Sequence, residues 1–303
     1  MNVIVSGANG WLGRSSLWCI SQFQELNSLY PVTRNKTNIA IQDLNFKSLD
    51  YNDILNENLS IDGFIHLPFI TRDKVGIEDN NKYISENLKL ISWALEVIRK
   101  HKPKWIISIS SGAVYKNGNN RSNELELNVE NNPYGFLKNI EENLIRNEAE
   151  KIHSNYVCAR LWGATGEDIQ NYKPYAVGDF ISSAIKSNVI NVKSISNIKR
   201  NFVDSRQLMA ILVKEAIAGN VLTIDSYGNE ISIRDLAQKV GSQFEGCSVN
   251  MPEQYQIHES DNYVPLKDDF LKLYSKWGID KLTIDEQISI TIKGIKRLLG
   301  QGT

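Results

Sequence analysis

The sequence predicts an α/β protein built on a doubly wound parallel sheet, followed by a smaller C-terminal α/β domain. Three observations predict it. Short apolar runs alternate with stretches of helical periodicity over the first half of the chain. The first of those runs enters a glycine-rich turn and then a helix, the order in which such sheets begin. The 303 residues are enough for one large core with an appended domain, since a chain of that length buries roughly 75% of its unfolded surface.

Residues 2–6 are apolar and rich in β-branched side chains, which reads as a buried strand. The turn Gly7-Ala8-Asn9-Gly10-Trp11-Leu12-Gly13 follows, then a helix expected over about residues 13–25. A second strand should end near residues 29–32, a third should span 38–44, and a fourth 62–67. Helical periodicity then runs over residues 80–101, with Leu88, Ile91, Leu95 and Ile98 on one stripe and Pro103 just beyond. A fifth strand is expected over residues 105–110. Pro133 opens another helix, with Phe136, Leu137, Ile140 and Leu144 at helical spacing. A last helix is expected over residues 283–299, carrying Ile284, Ile288, Ile292, Ile295 and Leu299. The domain boundary is placed near 165, giving a first domain of residues 1–165 and a second of 166–303, with 195–225 returning to the first. Residues 116–132 are polar and Asn-rich, and read equally as a mobile loop over the site or as plain solvated surface.

Composition narrows the function classes. Lys and Arg number 34 against 35 Asp and Glu, and no basic tail breaks that balance, so no nucleic-acid partner is expected. Cys19, Cys158 and Cys247 are far apart and form no CxxC pair, which suits a reducing cytoplasm and argues against a disulfide framework or a zinc knuckle. No apolar run approaches the ~18 residues of a membrane span, and the opening residues carry no basic leader, so neither membrane attachment nor export is expected. His66, His101, His153 and His258 show no H-x-x-x-H spacing, so no metal site is expected.

The chemistry must come from strand ends, where ligands sit in sheets of this kind. Glycines at G-x-x-G-x-x-G spacing let the backbone bend and approach a pyrophosphate, whose charge then rests on a helix N-terminus. A dinucleotide site usually places an acid after the second strand, but none occurs between Glu25 and Asp43. Arg34 beside the Thr33 hydroxyl would instead bind a 2′-phosphate, so NADP(H) is favoured over NAD(H). Further on, Tyr134 and Lys138 stand at i and i+4 on one helix face. A free tyrosine has a pKa near ~10, and a neighbouring ammonium would lower it and let Tyr134 act as general acid or base. Ser111, at the end of the Ser-rich fifth strand, would hydrogen-bond the substrate oxygen that changes charge.

With these residues on the page, the chain resembles the extended short-chain dehydrogenase/reductase family, also called the NAD-dependent epimerase/dehydratase family. The carrying residues are Gly7, Gly10 and Gly13, Asp43-Leu44, His66-Leu67, Asn87, the run from Ser110 to Tyr115, and Tyr134-xxx-Lys138. The segments Arg160–Gly166 and Arg200–Val203, and the late stretch 222–236, extend the resemblance over nearly the whole chain. It implies a Rossmann-type cofactor domain and a nucleotide-sugar substrate. The catalytic residues would be Ser111, Tyr134 and Lys138. Cofactor contacts would come from Gly7, Asn9, Gly10, Trp11, Leu12, Gly13, Arg34, Asp43, Leu44, Leu67, Pro68, Phe69 and Asn87, together with Tyr134 and Lys138. Substrate contacts would come from Ser111, Tyr134, Trp162 and Arg200. A homodimer through the 80–100 and 133–152 helices is likewise implied.

The departures narrow the activity. Dehydratases of the family carry Thr-Asp-Glu where this chain has Ser111-Gly112-Ala113, so 4,6-dehydration is not expected. Pro68-Phe69 replaces small alanines, and Gly163 replaces an Asn that supports the substrate. The expectation is an NADPH-dependent reductase of a nucleotide-diphospho-keto-(deoxy)sugar, as in surface-polysaccharide synthesis, with Tyr134 as general acid. The alternatives are an NAD-dependent nucleotide-sugar 4-epimerase and, more remotely, a non-catalytic dinucleotide-binding regulator.

Overall fold

The structure is a computed structural model that describes residues 1–76, 79–116, 124–253, 256–259 and 262–301. It divides into two compact units. The first comprises Met1–Lys116, Glu124–Leu161 and Leu208–Ile224, and the second is built, in its described residues, from Trp162–Gln207 and from Asp225 onward.

The first unit is a six-stranded sheet flanked by helices. Its chain order is β1 (Asn2–Ser6), α1 (Trp11–Ile20), β2 (Ser28–Val32), a hairpin of β3 (Asn38–Ile41) and β4 (Leu44–Lys47), α2 (Tyr51–Asn56), β5 (Gly63–His66), α3 (Asn80–His101), β6 (Trp105–Ser111), α4 (Pro133–Lys151) and β7 (Asn155–Leu161). In space the strands run β7-β6-β5-β1-β2, with Leu222–Asp225 added beyond β7. The pairs from β7 to β2 are all parallel. The chain reverses direction across the sheet between β1 and β5, so their carboxyl ends form the crevice where a ligand can enter. Ile4, Phe64, Ile98, Ile106 and Tyr156 are among the side chains of the core between sheet and helices. A doubly wound α/β fold is what the strand pattern led us to expect.

Each long helix is bounded by local chemistry. On α3 the Asp79 side chain accepts from the Asn81 N–H, and Arg99, Lys100 and His101 occupy the last turn, where cations suit the helix dipole. On α4 the Asn132 side chain accepts from the Gly135 N–H and Pro133 takes the first position. The second unit holds a three-stranded sheet of Asn229–Ser232, Lys199–Asp204 and Ala164–Thr165. Helices Ala176–Ser187, Ile233–Gly241 and Ile284–Leu298 bury apolar faces there, the last opened by a Thr283–Glu286 capping box.

Several expectations are corrected. The expected third strand is not in the parallel sheet. Residues 38–47 fold into the antiparallel β3–β4 hairpin, with Gln42 at φ +51 in its two-residue turn. The neighbour of β2 is instead Leu49, which bridges Val32 in parallel and exchanges bonds with Pro31 and Thr33. α1 ends at Ile20, five residues earlier than expected. On α3 the buried face is Tyr83, Asn87, Ile91, Ala94 and Ile98, while Leu88 is 40% exposed. Of the Asn-rich stretch, 117–123 lie outside the described residues. Among the described residues, no helix is long and apolar enough to cross a membrane, and no His/Cys/Asp/Glu cluster could hold a metal.

Candidate active site

The glycine turn is built to admit something against its backbone. Gly7 sits at φ +69, a conformation glycine adopts without penalty. A Cβ on Gly13 would lie 2.1 Å from the Gly7 carbonyl oxygen, so only glycine lets α1 start this close to β1. The turn is closed by Gly10 N–H donating to Gly7 O at 2.9 Å, and tied to β2 by Ala8 N–H to Val32 O at 3.1 Å. No side chain caps α1 at Gly10, and the helix N-terminus faces the turn with its dipole's positive end. Asn9 accepts from Arg14, whose other nitrogen donates to the Ala40 carbonyl. A Cβ on Gly7 would stand 3.1 Å from the Pro68 nitrogen, so the segment after β5 lies directly beside this turn.

That segment, Leu67-Pro68-Phe69-Ile70, is clamped from α3. Asn87, fully buried, accepts from Ile70 N–H at 2.8 Å and donates to Tyr83 O, while Tyr83 O–H donates to Ile70 O at 2.8 Å. Phe69 is thereby held with its ring edge-on to Tyr134, centroids 5.6 Å apart.

Tyr134 is brought to Ser111 by a short chain of contacts. Asn132 donates to the Ala113 carbonyl at 2.7 Å while capping α4. A Cβ on Gly135 would fall 1.9 Å from that same carbonyl, so glycine is needed for α4 to seat here. The result is a hydrogen bond between the Tyr134 phenol and the Ser111 hydroxyl. Arg160 braces the arrangement, gripping Glu142 with two nitrogens at 3.0 and 2.8 Å and donating to the Tyr115 hydroxyl at 2.6 Å.

Lys138 is buried and its ammonium is engaged. It donates to Ile109 O at 2.8 Å and to Glu141 Oε2 at 2.7 Å, and the Phe69 ring centroid lies 3.8 Å away. Glu141 Oε1 in turn faces His66 Nε2 at 3.3 Å. The expectation that Lys138 lowers the Tyr134 pKa is therefore corrected. Although Tyr134 keeps part of its surface accessible, desolvation of the phenol and the nearby Glu141 carboxylate outweigh the Ser111 bond, and its pKa is pushed up to about 12. At neutral pH Tyr134 carries its proton. A raised pKa makes the phenol a weaker acid than a free tyrosine, yet still acidic enough to protonate an alkoxide.

The remaining expected residues divide. Arg34 is exposed at the end of β2, where its charge reaches Tyr51 and Glu86. The Thr33 hydroxyl beside it points inward, donating to Asn35 O and bonding Ser48 at 2.6 Å, so it does not stand ready for a phosphate. Asp43 lies exposed in the β3–β4 turn, with Leu44 following it, at no strand end of the parallel sheet. Ser48-Leu49 occupies the position those two were expected to fill. In the second unit, Trp162 packs against Tyr263 with ring centroids 4.7 Å apart and planes tilted by 50°, and donates to Asp225 at 3.0 Å, while Arg200 bridges the backbone of Tyr263. Sequence reasoning missed Glu141 and Asn132, and named His66 only as part of the family resemblance. Asn132 before Pro133 was a visible cap signal, whereas Lys138–Glu141 at i, i+3 reads as an ordinary surface pair.

The profile of the family described as "NAD dependent epimerase/dehydratase family" matches residues 3–216. A dTDP-D-glucose 4,6-dehydratase of Dictyostelium discoideum is 23% identical over 267 residues, covering 78% of this chain and 61% of that protein. The chain thus spans about three fifths of that relative's length. Among solved structures, the UDP-N-acetylglucosamine 4-epimerase of Methanobrevibacter ruminantium M1, in complex with UDP-N-acetylmuramic acid, superposes with a TM-score of 0.76 at 16% identity, covering 99% of this chain and 98% of that one. The UDP-glucose 4-epimerase of Thermus thermophilus, in complex with NAD, gives 0.72 at 16% identity over 98% and 99% of the two chains.

Proposed function

The chain belongs to the NAD dependent epimerase/dehydratase family, and from that premise we propose that it reduces the carbonyl of a nucleotide-diphospho-keto-sugar with NADPH as donor. The observation that carries this reading is Tyr134, bonded to Ser111 and held in its protonated form. Reduction of a ketone needs a proton donor beside the oxygen that becomes an alkoxide, and the Tyr134 phenol can fill that role. The strand end Ser111-Gly112-Ala113 also offers no acid to expel water, so the elimination carried out by the curated relative has no donor here.

The glycine turn fits a dinucleotide, because only glycine at 13 lets the N-terminus of α1 come this close to β1, and no side chain caps that end. Gly7, Gly10, Trp11, Leu12 and Gly13 would hold the diphosphate, with Leu67, Pro68 and Phe69 as the neighbouring wall and Arg34 on a 2′-phosphate. The reduced nicotinamide supplies the hydride. Ser111 orients the carbonyl oxygen, Tyr134 gives it a proton, and Lys138 fixes positive charge behind them. Trp162 and Arg200 would contact the nucleotide-sugar. Buried free Cys19 and Cys158 suit a reducing cytoplasm. Exposed Leu88 on α3 and Leu144 on α4 support pairing of two copies through these helices.

The test is to mix the pure protein with a panel of nucleotide-4-keto-6-deoxysugars and NADPH or NADH, following the reduced nicotinamide by absorbance. Stoichiometric NADPH loss is expected. Sugar isomerisation without cofactor consumption would establish the 4-epimerase instead.

A further inference from the structure

The segment after β5 carries a phenylalanine that the proton-transfer step does not use. Phe69 is half-buried, and its ring touches both members of the Tyr134–Lys138 pair. It stands edge-on to Tyr134 with centroids 5.6 Å apart and planes at 81°, and its centroid lies 3.8 Å from the Lys138 ammonium nitrogen.

An ammonium has three protons to give and no more. Lys138 gives one to Ile109 O at 2.8 Å and one to Glu141 Oε2 at 2.7 Å, and the Phe69 ring covers a further side. With these neighbours in place, only 6% of the Lys138 side chain is exposed. A ligand hydroxyl that is to bond to Lys138 must therefore displace one of the three. The Ile109 carbonyl belongs to β6, which is paired on both sides, and it cannot withdraw without disturbing the sheet. Glu141 is 2% exposed, and parting a buried carboxylate from its cation leaves an uncompensated charge. The contact of a cation with a ring face is the weakest of the three.

The ring can also leave without moving the chain. Ile70 N–H donates to Asn87 and Ile70 O accepts from Tyr83, both at 2.8 Å, so the backbone after Phe69 is tied to α3. On the other side, Pro68 stands against the glycine turn, its nitrogen 3.1 Å from where a Gly7 Cβ would lie. Movement is thereby confined to rotation of the Phe69 side chain between staggered positions. A smaller side chain at 69 would leave that side of the ammonium open.

We propose that Phe69 is a positioning residue for Lys138: its ring covers the side of the ammonium that a cofactor hydroxyl would have to take, and turns away when the dinucleotide is held. The role rests on the reading of the glycine turn as a dinucleotide site. Its consequence is a nicotinamide nucleotide bound at the expense of a ring contact, and so released readily after each turnover. A reductase that consumes its cofactor needs that release, whereas an enzyme that keeps its cofactor does not.

Proton spectra of the unaltered protein test the displacement directly, with Lys138 assigned by its loss in Lys138→Met. The Lys138 ε-methylene protons should lie upfield under the ring face, and saturating NADPH should remove that shift. An ordinary position without NADPH, or an upfield one that persists at saturation, would overturn the proposal. Phe69→Leu keeps an apolar side chain with no ring face. Titrated by nicotinamide fluorescence, it should bind NADPH and NADH each about tenfold more tightly than the parent, through slower release, the size of change a partly desolvated cation–ring contact carries. Phe69→Tyr, which keeps the ring, should bind as the parent does, and the same tightening there would overturn the role. Equal or weaker binding by Phe69→Leu would overturn this role alone. Failure of both the parent and Phe69→Leu to bind either dinucleotide would overturn the reading of the glycine turn and this role together.

Discussion

Two buried charge clusters, one in each unit, pair cations with carboxylates to opposite effect. In the first, Lys138, Glu141 and His66 crowd behind a tyrosine that keeps part of its surface accessible. In the second, Arg206 grips Asp168 with two nitrogens at 2.7 and 2.9 Å and approaches Glu167 at 3.4 Å, while Asp204 accepts from the Gln207 N–H at 2.9 Å. The guanidinium fork saturates its carboxylate and leaves little to offer a ligand. The ammonium is a point charge that leaves one oxygen of Glu141 to His66. The difference teaches that burial of charge does not mark a working site. What marks one is a charge whose neighbours include an incompletely enclosed proton donor.

The largest effects should separate the two clusters cleanly. Tyr134→Phe is expected to lower kcat by about 10²–10⁴, the usual worth of a general acid, while urea denaturation shows unchanged stability. Arg206→Ala should do the reverse. Leaving Asp168 buried without its fork is expected to cost about 3–5 kcal/mol of unfolding free energy, with kcat per folded molecule within about twofold of the parent. If Arg206→Ala lost turnover at full stability, the contrast between the clusters would fail.

Asp204 sharpens the contrast through pH. Burial, opposed by the Gln207 and Arg206 backbone bonds and by the charge of Arg206, pushes its pKa up to about 6. A carboxyl raised above its unfolded value contributes stability fully present below about pH 4, and that contribution is lost as pH rises through about 6. Asp204→Asn keeps an acceptor for the Gln207 N–H but never ionises. The variant should therefore be more stable than the parent at pH 8 by up to about 3 kcal/mol, two pH units being worth roughly that much, and indistinguishable from it near pH 4. Denaturation midpoints at the two pH values decide the matter. An equal advantage at both would mean that Asp204 is already ionised in the folded protein at low pH.

Legibility in the sequence followed the range of the interactions. The glycine turn, the caps of α3 and α4 and the Tyr134–Lys138 spacing are local, and each could be read from neighbouring residues. The β3–β4 hairpin could not, because its turn holds Gln42-Asp43 where a glycine would have announced it, and Gln42 takes the positive φ itself. The true neighbour of β2 is a single bridge at Leu49, too short to leave a pattern. Glu141 was hidden for a different reason. Its significance comes from His66 and Ile109, on strands far away in sequence, which enclose it and Lys138. Thr33 likewise looked available only until Ser48, fifteen residues on, was seen to bond it.

The smallest expected effect tests the opposite extreme, a charge with no enclosure. Arg34 is exposed just after β2, and its field reaches Tyr51 and the Glu86 carboxylate of α3. With Thr33 turned inward, Arg34 would have to hold a 2′-phosphate without help from the neighbouring hydroxyl. A hydrogen bond to a charged group contributes about 1.5–3 kcal/mol, and solvent at this position places the expectation at the low end. Arg34→Ala should accordingly raise KM for NADPH about tenfold, leave KM for NADH and both kcat values unchanged, and weaken the salt dependence of NADPH binding. Equal KM values for the two cofactors in the parent protein would break the preference outright. Arg34 would then be a solvated side chain with no part in telling the two cofactors apart.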